Sequence, residues 1–104
     1  MKALFLGLGM TAALASGSAM ADLDLAKKSG CLACHSVEKK IVGPAWRDVG
    51  KKYVGDAEAK ARLIAKVKAG GKGVWGPAPM PPYSPRVSDA NIEKLVTFVL
   101  SLGK

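Results

Sequence analysis

The sequence predicts an all-α fold of about four short helices. Three observations carry that expectation. After Ser88, the residues Ile92, Leu95, Val96, Val99 and Leu102 recur at the period of one helix face. No stretch alternates apolar and polar residues as a half-buried strand does. Five of the six prolines crowd into residues 73–85, where they stiffen a loop rather than build a ladder.

At 104 residues the chain supports one domain, and its first stretch reads as separate from that domain. Met1-Lys2 is a short charged start, residues 3–15 are apolar, and Ala19-Met20-Ala21 fits the small-x-small rule for signal cleavage. Residues 1–21 are therefore expected to be a cleaved signal peptide and 22–104 the domain. The alternative is a membrane anchor, but the apolar run is shorter than the ~20 residues that span a bilayer. Export implies the bacterial periplasm. Loss of Lys2 takes the formal net charge from +8 to +7. A surface that basic suits an acidic partner, and export argues against nucleic acid. The lysines are spread along the chain, so any single one is first of all a solubilising group.

The first helix is expected from Asp22 to Gly30. Asp22 and Asp24 suit its start, Lys27-Lys28 suit its end, and Gly30 suits a cap. Leu23, Leu25 and Ala26 are expected to face inward. Gly43-Pro44 marks a loop. A second short helix fits Ala45 to Tyr53, with Trp46 and Val49 inward and Arg47, Lys51 and Lys52 outward; Gly50 weakens it. Asp56 is the expected N-cap of a third helix, Ala57 to Ala69, striped by Leu63, Ile64 and Val67 and ended by Gly70-Gly71. Residues 73–85 read as irregular. Ser88 is the N-cap of the fourth helix, with Asp89 complementing its dipole, Phe98 near the edge of its apolar stripe and Gly103 closing it.

Cys31-Leu32-Ala33-Cys34-His35 is the chemical centre of the chain. Two cysteines three apart followed by histidine read as a c-type haem attachment site. Each thiol adds to one haem vinyl group, and the adjoining imidazole is held over the iron. A thiol–disulfide pair would need a low-pKa thiolate. A zinc site would need a fourth ligand, and the chain has no further Cys or His. A clasped haem also supplies the apolar centre that 83 residues otherwise build thinly.

The second axial ligand follows by elimination. His35 is the single histidine, and Met80 is the single methionine outside the leader. Met80 stands between Pro79 and Pro81, a poor place for a core gap-filler and a good one for a rigid mount. Its soft thioether favours ferrous iron and raises the reduction potential. An open or water-bound iron is the alternative.

Residues 22–104 resemble class I cytochromes c, most closely the small bacterial c-551 type. The resemblance rests on residues 31–35, on Val42-Gly43-Pro44-Ala45, on Gly73-Val74-Trp75-Gly76-Pro77-Ala78-Pro79-Met80-Pro81-Pro82, and on Phe98-Val99-Leu100-Ser101. It implies the small cytochrome c fold, about four helices wrapped around one covalent haem c held by Cys31 and Cys34. It implies His35 and Met80 as iron ligands, and Pro44 as the carbonyl that accepts a hydrogen bond from the proximal imidazole. It implies Trp75 as a donor to a haem propionate, with plain packing as the other reading. Lys66 stands where such proteins often place an arginine near the propionates. Tyr83-Ser84-Pro85-Arg86 is longer than the usual loop.

The expected function is a monomeric periplasmic one-electron carrier and not an enzyme. By resemblance its donors are a quinol-oxidising complex or similar, and its acceptors a terminal oxidase or a nitrite-reductase-like enzyme, all acidic redox proteins. No stable membrane insertion is expected after cleavage. The alternatives are a haem sensor or weak peroxidase in which Met80 dissociates, and a haem-free thiol oxidoreductase.

Overall fold

A computed structural model describes residues 21–104. The expected leader lies outside the described residues apart from Ala21. Helix α1 covers residues 21–28. A 3-10 turn, Cys31–Ala33, follows at once; then come α2 (Trp46–Lys52), α3 (Ala59–Ala69), strands β1 (Gly71–Gly73) and β2 (Gly76–Met80), and α4 (Asp89–Ser101). The four helices are those expected. No helix among the described residues is long and apolar enough to cross a membrane.

Local chemistry explains the boundaries. Gly30 takes the left-handed conformation (φ 87°) and turns the chain from α1 into Cys31. In α1, Ala26 is fully buried and Leu25 partly so, while Leu23 is 39% exposed, so the inward face is narrower than expected. Helix α3 starts two residues late. The Asp56 carboxylate accepts from the Glu58 amide at 3.0 Å, which closes a turn ahead of the helix instead of capping its first residue. Ser88 caps α4 as expected, accepting from the Asn91 amide at 3.2 Å.

The strands correct the reading of residues 73–80 as irregular. β1 and β2 pair antiparallel, Gly71 opposite Met80 and Gly73 opposite Gly76, around a turn at Val74-Trp75. Glycine and proline conceal such a ladder from pattern reading. Pro77 and Pro79 have no amide to donate, so β2 can pair only as a short edge.

Helix α4 is the spine. Ile92, Leu95, Val96, Phe98 and Val99 are buried along it. Phe98, expected near the edge, meets Trp46 edge-on at 6.3 Å between centroids. The core falls into two clusters. One joins Ala26, Cys31, Trp46, Val49, Leu95, Phe98 and Val99. The other joins Tyr83, Val87, Ile92 and Val96, with Met80 packed against it. Leu63 of α3 touches both.

Gly50 is a contact point rather than a weakness. A β-carbon there would stand 2.6 Å from the amide nitrogen of Gly103 and 2.7 Å from the carbonyl oxygen of Val99. α2 crosses the end of α4 backbone to backbone, and neither helix can yield without opening the first cluster. Gly50→Ala is expected to cost about 1–3 kcal/mol, the usual penalty of overpacking. A denaturant titration checks it, with a lower midpoint at unchanged slope as the expected result. Outside this crossing, Arg47 makes a paired contact with Glu38 (2.8 and 2.7 Å) and donates to the Leu102 carbonyl at 3.1 Å. The guanidinium's hydrogen bonds hold the Glu38 carboxyl below its ordinary range.

Candidate functional site

A cleft of about 300 Å³ opens between the two core clusters. Cys31, Cys34, His35, Pro44, Lys66, Trp75 and Met80 all line it. The seven residues singled out in the sequence therefore meet in one place, although they span 50 positions.

The histidine is the most constrained of them. The turn at residues 31–33 closes with the Cys34 and His35 amides on the Cys31 carbonyl, at 3.2 and 3.0 Å. The following chain folds back, and the Val42 and Gly43 amides both reach the Cys34 carbonyl, at 3.2 and 2.8 Å. Two otherwise unpaired amides at the start of α2, those of Trp46 and Arg47, are taken by the Ser36 and Val37 carbonyls. The segment after the motif is thus laced to α2. Within it, His35 Nδ1 lies 2.8 Å from the Pro44 carbonyl oxygen. A carbonyl only accepts, so Nδ1 carries the proton and Nε2 is left with a free lone pair. Trp46 stacks on the imidazole at 5.5 Å and 26°.

Gly43 belongs to the site and was not singled out in the sequence beyond its loop. A β-carbon on it would stand 2.5 Å from His35 Cε1 and 3.0 Å from both ring nitrogens. The Gly-Pro pair has two jobs here: proline supplies the carbonyl, and glycine leaves room for the ring.

Both cysteines are free thiols, Cys31 buried and Cys34 half-buried. Burial pushes the Cys31 thiol above its ordinary value, opposed in smaller part by the charge of Arg86. That upward push makes Cys31 a poorer thiolate nucleophile.

Met80 enters from the end of β2. Trp75 sits in the hairpin turn, 39% exposed, with the Lys52 ammonium 5.7 Å from its ring. The Lys66 ammonium lies close over Gly71, where a β-carbon would stand 2.8 Å from it. Arg62 and Tyr53 also line the cleft, and neither was expected there. The Arg62 guanidinium is 5.9 Å from the Tyr53 ring and hydrogen-bonds Asp56 at 2.5 Å. That bond lowers the Asp56 carboxyl and raises Arg62. Position alone gave no signal for Arg62, because it reads as one more cation on the solvent face of α3.

The cleft fits a flat, largely apolar macrocycle with an acidic edge. Val42 and Val74 on its walls are 51% and 60% exposed, an apolar surface that ordinary folding would bury. Two thiols, one imidazole with a free Nε2 and one thioether converge on it, the donor set of a c-type centre. Among the described residues no group of three or more His, Cys, Asp and Glu could hold a separate metal ion.

Known proteins agree. The family model described as Cytochrome c matches residues 23–103. The chain is 57% identical over 95 residues to cytochrome c-551 of Allochromatium vinosum, covering 91% of this chain and all of that one. It is 48% identical over 103 residues to cytochrome c-552 of Nitrosomonas europaea, covering 98% and 99%. The crystal structure of wild-type Nitrosomonas europaea cytochrome c552 superposes with a TM-score of 0.73 at 49% identity, over 77% of this chain and 98% of that one. With this cleft, this motif and this match along almost the whole chain, the protein belongs to the cytochrome c family, as a class I cytochrome of the c-551 type.

Proposed function

We propose that the protein is a one-electron carrier of the periplasm, exported by a leader at residues 1–21 and working between acidic redox proteins. One c-type haem, covalently attached through Cys31 and Cys34, is the cofactor its family membership implies. When bound, it supplies a one-electron change between ferric and ferrous iron.

The chain's own residues do the rest. His35 would offer Nε2 to the iron, with the Pro44 carbonyl holding Nδ1 and fixing the ring's orientation. Met80, the last residue of β2, would offer its sulfur, and with His35 it would leave the iron no position for a substrate. That closure separates a carrier from a sensor or peroxidase. Trp75, with the Lys52 ammonium beside its ring, and Lys66 both line the cleft, and the indole N–H and the ammonium groups suit the carboxylates of the propionates. Lys72 on the cleft wall and Arg86 beyond Tyr83 add positive charge near the exposed rim. Val42 and Val74, both exposed on the cleft wall, add apolar surface. A basic rim around an apolar patch favours fast, weak encounters with an acidic partner. A quinol-oxidising complex as donor, and a terminal oxidase or nitrite-reductase-like acceptor, fit that chemistry.

The observation that carries this reading is the convergence of Met80 and the Nδ1-anchored His35 on one apolar cleft. Oxidation kinetics test it. Ferricyanide, an anion, is expected to oxidise the reduced protein faster than a cationic oxidant of equal driving force, and to slow as salt rises. A titration against potential is expected to follow a single one-electron curve. Equal rates with both oxidants and no dependence on salt would overturn the basic docking surface.

A further inference from the structure

The loop Tyr83–Arg86 is not accounted for by attachment, ligation or docking, and its placement is specific. Tyr83 is 7% exposed and sits in the second core cluster, against which Met80 packs. It lines the same cleft as Met80. Its amide donates to the Val67 carbonyl at 3.0 Å, and its carbonyl accepts from the Val87 amide at 2.8 Å. The first bond ties the loop to the end of α3. The second closes the loop on itself around Ser84, Pro85 and Arg86, ahead of α4. Arg86 folds back over the Tyr83 ring at 4.8 Å. The Tyr83 hydroxyl has no hydrogen-bond partner among the described residues, so the ring makes the contact.

The other side of the strap is equally fixed. Gly70, with φ 74°, ends α3 against the strap backbone: a β-carbon there would stand 2.5 Å from the Met80 carbonyl oxygen and 2.8 Å from the Pro82 nitrogen. The strap, residues 80–82, therefore abuts Gly70 on one side, while the Met80 side chain packs against the cluster that holds Tyr83, and Pro79, Pro81 and Pro82 limit the segment's own freedom.

We propose that Tyr83, clamped by Arg86, is a positioning residue that holds the Met80 side chain in the cleft and so sets how readily outside ligands displace it from the iron. The proposal rests on Met80 being the axial ligand. Two observations point this way: Tyr83 shares both cluster and cleft with Met80, and the exposed Arg86 guanidinium lies 4.8 Å over its ring, a cation–π contact.

The test is imidazole titration of the ferric holoprotein, with the far-red sulfur-to-iron band and the near-UV circular dichroism read on the same samples. Tyr83→Ala is expected to bind imidazole about tenfold or more tightly, because it opens a cavity beside Met80. Tyr83→Phe is expected to restore resistance to within about twofold, since the ring carries the contact. Arg86→Gln is expected to loosen it about threefold, the scale of one exposed cation–π contact. Met80→Ala separates the two readings. If it leaves both band and imidazole affinity unchanged, Met80 is not the ligand and the proposal falls with that assignment. If Met80→Ala removes the band while Tyr83→Ala and Arg86→Gln bind imidazole like the parent, ligation stands and the positioning role is overturned. Should Tyr83→Ala lose its near-UV signal, Arg86→Gln decides alone, because its side chain lies outside the core.

Discussion

Met80→Ala lowers the reduction potential by on the order of 0.2 V, a modest part of the roughly 0.8 V over which axial ligands move haem potentials. The reasoning is electronic. A thioether is a soft, neutral donor that stabilises ferrous iron more than ferric iron. Water or hydroxide in its place is harder and stabilises the ferric state. For a one-electron couple about 59 mV corresponds to a tenfold change in equilibrium constant, so the shift is more than three powers of ten. The same variant should bind cyanide and imidazole readily. Spectroelectrochemical titration measures both effects. Because Met80 is half-buried and packs at the edge of the second cluster, the fold should survive its truncation. An unchanged potential would show that the sulfur does not reach the iron.

Cys31→Ala/Cys34→Ala, the double variant, should lose the cooperative fold unless haem is supplied in excess. The core is divided: the cleft lies between the cluster around Trp46 and Phe98 and the cluster around Ile92 and Val96. Among the described residues, Leu63 packs against both clusters and α4 contributes to each. A single core in a domain this small supplies about 3–5 kcal/mol, and two half-cores supply less. Covalent attachment keeps the bridging group in place at any concentration, whereas a dissociable one stabilises only by mass action. The far-UV helical signal of the haem-free double variant is expected to fall by more than about half, with no sharp thermal transition. A cooperative melt equal to that of the parent would contradict the divided-core account.

What the sequence shows plainly is what depends on neighbours along the chain. Ser88, the 92–102 stripe and Gly30 place α4 and the end of α1 by local capping and period. Cys31, Cys34 and His35 are adjacent, so their chemistry is visible as a motif. What it hides depends on partners distant in sequence. Gly50 reads as a weak helix residue until Gly103 is seen against it, 53 positions away. Phe98 reads as peripheral until Trp46 meets its edge. The 71–80 hairpin carries no apolar alternation, because glycine and proline leave only backbone pairing to hold it. Arg62 reads as a solvated cation, and only the folding of Asp56 and Tyr53 around it turns it toward the cleft. That Met80 and His35 share one cleft was legible by a different route: residues 22–104 hold one methionine and one histidine, so elimination replaced geometry.

That uniqueness also supplies the most direct measurement of the central claim, that Met80 closes the iron's sixth position. In the proton NMR spectrum of ferrous protein comprising residues 22–104, one methionine methyl exists to be found. Bound to iron above the macrocycle, it lies in the ring current and its three-proton singlet moves far upfield, clear of every other resonance. The shifted singlet is expected in the parent and is expected to be lost in Met80→Ala. A methyl resonance in the ordinary methionine range, in protein whose haem is covalently attached, would contradict it.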